Sequence, residues 1–159
     1  MTYAPPESTV SRVREHLANE VPPEHFYVEL LGLRYYDMAS LHERVTEGLP
    51  FDALETLQDA LACPTPRFAA LVGIPLRTLA RRKEANRLQS DESDRLFRLA
   101  RIAGLALKLF AGGLDDARAW LFTPLQALGG HVPLDLAVSE VGAREVEKLI
   151  GRIEHGIPL

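Results

Sequence analysis

The chain has 159 residues, 47% of them hydrophobic, and a formal net charge of −4. That suffices for one ordinary core, or for two small ones joined by a shared helix. No run of 18 apolar residues escapes charges, the opening MTYAPPESTVSRVREH lacks a signal peptide's apolar middle, and Cys63 is the single cysteine. These features exclude a membrane-spanning helix, an internal disulfide and a cysteine-based zinc cage, and a soluble cytoplasmic protein is expected.

The charge is spread unevenly. Residues 1–63 hold four basic and eleven acidic side chains, residues 102–159 hold five and seven, and residues 64–101 hold nine and four. A basic middle in an acidic chain suggests one face for a polyanion and other surfaces for something else.

The first 25 residues mix Pro5, Pro6, Pro22 and Pro23 with polar residues and read as a weakly structured arm with at most a short helix around Val10 to Ala18. Phe26 to Tyr36 is apolar and aromatic but too short to assign as strand or helix. From Asp37, Met38, Leu41, His42 and Val45 take helical spacing up to Gly48 and Pro50, and a second helix is predicted from an Asp52 N-cap to Ala62. Thr65 as N-cap followed by Pro66 predicts a short helix to Val72, closed by Gly73, and Pro75 can open the next, to about Ala85. Ser90, followed by Asp91 and Glu92, is read as the N-cap of the longest helix, whose stripe of Leu96, Leu99, Ala100, Ala103, Leu107 and Phe110 runs to Gly112 and Gly113.

Beyond it, shorter helices are predicted at Asp115 to Phe122, Leu134 to Ala137 and Val141 to His155. No segment alternates with period two and no long repeat is visible. An all-α fold follows, with an arm over 1–36, a helix-turn-helix domain over 37–110 and a small helical domain over 111–159.

The segment FAALVGIPLRTLARR carries the helix-turn-helix signature. The turn needs a residue tolerant of positive φ, and the first helix needs a small side chain where the two meet. Gly73 and Ala69 supply these, and Leu79 can point back into the core. On the second helix, Arg77 with Arg81 and Thr78 with Arg82 are i, i+4 pairs, read as sharing the side opposite Leu76 and Leu79. Arginine reads guanine edges and holds phosphates, and Thr78 can touch a phosphate or a thymine methyl. Lys83 and Arg87, further along, are better placed for the phosphate backbone, and Arg67 completes the candidate DNA-binding set.

In the C-terminal part, Trp120, Leu121 and Phe122 end a helix at Thr123 and Pro124, and Gly129 and Gly130 let the following loop bend before Pro133. An apolar tryptophan among prolines and glycines builds either a small core or a rigid recognition surface. The last helix has an apolar side of Val146, Leu149, Ile150 and Ile153, a charged side of Arg144, Glu145, Glu147, Lys148 and Arg152, and an apolar tail after Gly156.

Three ordered blocks, GIPLRTLARRKEANRLQSDESDRLFRLARI, ARAWLFTPLQALGGHVPLDL and GAREVEKLIGRIEHG, resemble the Xre-type antitoxins of RES-Xre toxin-antitoxin systems. The resemblance implies an antitoxin that represses its own operon and whose C-terminal domain binds a RES-domain toxin. It also implies that the toxin, not this chain, degrades NAD. Candidate toxin-binding residues are then Trp120, Leu128, Gly129, Gly130, Arg152, Glu154, His155, Ile157, Pro158 and Leu159, with the last helix and tail expected at the mouth of the toxin's active site. The alternative is a helix-turn-helix regulator without a toxin partner.

No catalytic constellation competes. The histidines at 16, 25, 42, 131 and 155 form no i, i+3 or i, i+4 pair for a metal, and no phosphate or dinucleotide loop is present, so no metal, cofactor or enzymatic activity is expected. Glu92 and Asp94 beside Ser93 are explained by their place at a helix start. A homodimer is expected because paired DNA half-sites call for two reading helices, with Asp91 to Phe110 as its candidate interface.

Overall fold

Residues 90–109 open with acids at the positive end of the helix dipole and continue through mostly good helix formers, and they form a 20-residue helix, α7 (Ser90–Leu109), about 30 Å long. Leu96, Leu99, Ala100, Ile102, Ala103, Gly104, Ala106 and Leu107 are all buried on it. At ~100° per residue these positions cover about 200° of its circumference, too wide an arc for one partner.

The computed structural model describes residues 3–18, 21–34 and 37–158, without the side chains of Ser8 and His16. In chain order the helices are α1 (Glu7–Ala18), α2 (Phe26–Leu30), α3 (Met38–Glu47), α4 (Phe51–Ala60), α5 (Thr65–Val72), α6 (Leu76–Ala85), α7, α8 (Leu114–Leu121), α9 (Pro133–Leu136) and α10 (Glu140–Glu154). Helices α2, α3, α5, α8 and α10 all pack on α7. The expected all-α class is observed: the described residues contain no strand, only a single antiparallel bridge between Leu125 and His131. None of their helices is long and apolar enough to cross a membrane.

Three expectations change. The stretch read as a weakly structured arm is helical over much of its described length. Val10 and Val13 of α1, and Phe26, Val28, Leu30 and Leu31 in and beside α2, are buried in the core. Its prolines punctuate helices rather than prevent them: the Pro6 carbonyl accepts the Val10 N–H as α1 begins. The segment Phe26 to Tyr36 is therefore helical at its start, while Tyr35 and Tyr36, like Leu159, lie outside the described residues. Gly104 lets α2 lie against α7, since a Cβ there would sit 2.9 Å from the Tyr27 nitrogen.

Second, α7 cannot serve as the homodimer interface foreseen for Asp91 to Phe110, because the chain's own helices already cover its apolar arc. Third, three caps lie earlier than expected, two of them by one residue and that of α4 by two. Pro50, Pro64 and Gln89 precede the first helical residue where Asp52, Thr65 and Ser90 were expected to cap. The side chains explain two of these. Thr65 Oγ1 accepts from Gln58 Nε2 at 2.9 Å, and the Gln89 N–H is met by Glu92 Oε2 at 2.8 Å.

The turn between α3 and α4 is clamped onto the start of α7. Leu49 N donates to the buried Ser93 hydroxyl at 2.8 Å, and Leu88 N donates to the Leu49 carbonyl at 2.9 Å. Gly48 makes this approach possible: its φ is +106°, and a Cβ would stand 2.2 Å from the Leu88 carbonyl oxygen. Gly48→Ala therefore combines left-handed strain with a backbone collision and should cost about 3 kcal/mol in urea denaturation. Gly151→Ala, in the interior of α10 with nothing within 4 Å of the added carbon, should instead stabilise by roughly 0.5–1 kcal/mol.

Candidate functional site: the helix-turn-helix and the C-terminal surface

The turn between α5 and α6 is three residues long, and Gly73 takes the left-handed conformation at φ 66°. Ile74 N donates to the Ala69 carbonyl at 2.9 Å, and both residues are buried, so the first helix ends on an apolar seat. Arg95 of α7 braces the same turn from below by donating from Nε to the Val72 carbonyl at 2.7 Å.

Helix α6 has no fully buried residue. Its inward side consists of half-buried Thr78, Leu79 and Arg82, and only Leu79 brings apolar contact with the core. Arg82 is the firmest anchor. Its guanidinium donates from Nε to Glu92 Oε2 at 2.8 Å and from the second terminal nitrogen to Oε1 at 3.0 Å. The two side chains are only 14% and 7% exposed. Burial pushes the Glu92 carboxyl up, but the Arg82 hydrogen bonds and the Gln89 N–H outweigh it and hold it below its ordinary value. The Arg82 guanidinium is correspondingly pushed up by its hydrogen bonds to Glu92.

This changes the DNA-binding set. Arg82, expected on the exposed face, is a buried tie between α6 and α7, and Thr78 shares its inward side. Arg67 points to the C-terminal part, with its guanidinium 3.4 Å from Asp135 and 5.1 Å from the centre of the Phe122 ring. Lys83 pairs with Glu55 at 2.7 Å, and Arg87 with Glu47 at 4.0 Å. These last two pairs are exposed and weak, of the kind a phosphate can displace. Arg77 and Arg81 remain, both exposed and without an ion pair among the described residues. At ~100° per residue they lie on the outer face of α6 together with Leu76, Ala80 and Glu84.

The basic middle of the chain is thus mostly spent within the molecule. Of its nine basic residues, seven meet carboxylates within 4.0 Å. Sequence reading missed Arg98 and Arg101, which join α7 to α10. Arg98 reaches Glu140 at 3.1 Å and the Val138 carbonyl at 2.9 Å, and Arg101 reaches Glu147 at 2.8 Å. Their spacing of three on a long helix, against Glu140 and Glu147 on the last, was the available signal. Arg118 was also missed: it donates to the Ala60 carbonyl at 2.6 Å and so ties α8 to the end of α4.

The C-terminal candidates divide in the same way. Leu128 is buried at 9% exposure and Trp120 is half-buried against the core, so the first builds the domain rather than its surface. Gly129 and Gly130 are exposed with φ of 65° and 82°, and Gly130 N donates to the Leu125 carbonyl at 2.9 Å, closing the loop as a small hairpin. Arg152, Glu154, His155, Ile157 and Pro158 are exposed. Glu154 meets Lys108 at 3.4 Å, and Ile157 N donates to the Arg152 carbonyl at 2.9 Å, so the tail turns back on α10. Leu159, the remaining candidate, is outside the described residues. Large apolar side chains are exposed at both ends of α10: Val138 at 39% and Val141 at 76% near its start, Ile153 at 37% and Ile157 at 51% at and beyond its end.

If Arg82 orients α6, Arg82→Ala should cost about 3 kcal/mol at pH 7, because it strands a buried carboxylate. Arg77→Ala and Arg81→Ala should each stay within about 0.5 kcal/mol by urea denaturation. Glu92 and Glu140 are both held below the ordinary 4.5 in the fold, Glu140 by Arg144, Arg101 and Arg98 against the opposing effect of burial. Such groups stabilise above their unfolded pKa and lose that contribution as pH falls through the folded one. The melting temperature should accordingly drop below about pH 4.5, and less steeply in Arg82→Leu/Glu92→Leu.

Comparison with known proteins agrees with both regions. Residues 40–101 match the antitoxin Xre-like helix-turn-helix domain, and residues 105–156 match the antitoxin Xre/MbcA/ParS C-terminal toxin-binding domain. Similar proteins include Antitoxin Xre of Yersinia enterocolitica and Antitoxin Xre of Photorhabdus laumondii. Each is 35% identical over 118 residues, covering 74% of this chain and 80% of the relative. Antitoxin Xre of Pseudomonas putida is 35% identical over 121 residues, 75% of this chain and 74% of its own.

Proposed function

We propose that this chain, which belongs to the Xre antitoxin family, neutralises a RES-domain toxin that degrades NAD and binds the operator of its own operon to repress it. Membership makes it a type II antitoxin with a helix-turn-helix and a toxin-binding domain, a regulatory protein rather than an enzyme. The observation that carries the proposal is the succession of the two matched segments along one chain, both resting on α7. The RES identity of the toxin is supported by the block ARAWLFTPLQALGGHVPLDL and its resemblance to RES-Xre antitoxins.

On the DNA side the reading rests on Arg77 and Arg81. A helix that projects two unpaired arginines one turn apart, behind a three-residue turn, has the geometry to enter a major groove. Arg77→Ala/Arg81→Ala should weaken operator binding and flatten its dependence on salt, because fewer counterions are released. Unchanged binding in a mobility-shift titration would contradict that assignment. Two half-sites call for two copies of α6, so the proposal includes a homodimer formed through a surface other than α7. Light scattering at micromolar concentration should give twice the chain mass.

On the toxin side, Ile153 and Ile157 are exposed at the C-terminal end of α10 beside the charged Arg152 and Glu154, as in an apolar contact with a polar rim. Co-expression with a RES-domain toxin from the same operon tests the whole reading. NAD should collapse with toxin alone and be preserved when this chain is present. Removing residues 157–159, which lie beyond the helix, should reduce that protection while leaving operator binding intact. Continued NAD loss with the full chain bound would refute neutralisation, and a toxin that spares NAD would refute the RES identity.

A further inference from the structure

The outer face of α6 contains more than arginines. Leu76, the first residue of the helix, is 54% exposed although it is a large apolar side chain, and Ala80 lies one turn further on the same side. The strip they form runs beside Arg77 and Arg81, again one turn apart. A leucine left in water on a helix otherwise short of buried contacts is unexplained by packing, because Leu79 supplies the apolar seating of α6 on the core and Arg82 its polar tie. The helix is not sealed against another part of the chain here, and the unpaired arginines alongside point to a polyanion as what covers it.

We infer that Leu76 and Ala80 are base-reading residues that take the 5-methyl group of a thymine, next to the guanine contacted by Arg77 or Arg81. The chemistry fits the position. In the major groove thymine is distinguished by its methyl group and guanine by its N7 and O6 acceptors, and the N-terminal residues of a recognition helix are those that reach base edges. Arg77 and Leu76 are adjacent at that end, so one side chain can hold guanine while the other covers the neighbouring methyl. Thr78, the other residue able to greet a thymine methyl, faces inward beside Arg82. Specificity at the thymine then comes from apolar burial, which adds no dependence on salt.

This inference rests on the proposal that α6 binds operator DNA, and the experiment separates the two. Duplexes are selected from a random pool with the full-length chain, and each thymine of the preferred half-site is replaced in turn by uracil, which deletes only the methyl. At one thymine next to a guanine, wild type should lose about fourfold in affinity, the effect of losing one buried methyl. Leu76→Ala should bind the thymine duplex more weakly by a similar factor and lose most of the uracil effect, since only Ala80 then lines the methyl, while its salt dependence and its melting temperature stay those of wild type. Uracil sensitivity that is undiminished in Leu76→Ala, or its absence at every position in wild type, overturns the inference and leaves DNA binding standing. A Leu76→Ala protein that loses its dimer mass with uracil sensitivity unchanged assigns Leu76 to an interface between copies and overturns it as well. Failure of the wild-type chain to select any sequence overturns both.

Discussion

A helix that must hide apolar side chains over more than half of its circumference cannot be satisfied by a single neighbour, and α7 imposes that condition on everything else. Leu96, Leu99, Ile102 and Leu107 are fully buried on it. Each flank of the protein is therefore recruited to the same rod: α2 and α3 from before it, α8 and α10 from after it, and α5 of the helix-turn-helix at its N-terminal half. One continuous core results, although two functional regions share it. The helix-turn-helix and the C-terminal part are thus packed on one shared helix.

Arginines along α7 finish what apolar burial begins. Arg95 reaches back to the turn of the helix-turn-helix, while Arg98 and Arg101, one turn on, reach forward to α10. Glu92, earlier still, receives Arg82. An ion pair of this kind contributes less through net stability than through geometry, since replacing both partners by apolar residues is often neutral whereas removing one is costly. The polar face of α7 therefore sets the angles at which its neighbours lie, and its apolar face supplies most of the stability.

How much of this was legible in the sequence follows from the range of each signal. Helices marked by local chemistry were readable: Gly73 and Pro75 bound the turn, Gly156 closes α10, and the apolar stripe gave α7. The caps of α5 and α7 were each missed by one because Thr65 and Glu92 bond to partners that spacing alone does not rank, Gln58 and the Gln89 N–H. The arm was misread because prolines at Pro5, Pro6, Pro22 and Pro23 mark helix starts as readily as loops, and only burial against α7 and α4 decides between them. At the site, the excess of basic residues over 64–101 was a true signal of charge but not of its destination. The partners of Arg67, Lys83 and Arg101 lie between 28 and 68 residues away on other elements or, for Arg101, on the last helix. Long-range pairing of this sort has no local signature.

The consequence for function lies in α6, the least buried of the longer helices around α7. A reading helix must expose most of its surface to DNA, so it cannot be held by an apolar face of ordinary width, and here Leu79 is its single apolar foot. The short turn at Gly73 fixes where it begins, and the Arg82 to Glu92 pair fixes how it is rolled about its own axis. That division explains why a charged residue stands where an apolar one would be cheaper to bury: a bidentate guanidinium-carboxylate contact is directional, whereas apolar contact tolerates rotation. Under the proposed operator binding, rotation is what α6 cannot tolerate, because a turn of ~100° would exchange Arg77 for its neighbour on the exposed face. The buried pair on the inward side and the bare arginines on the outward side are two parts of one arrangement.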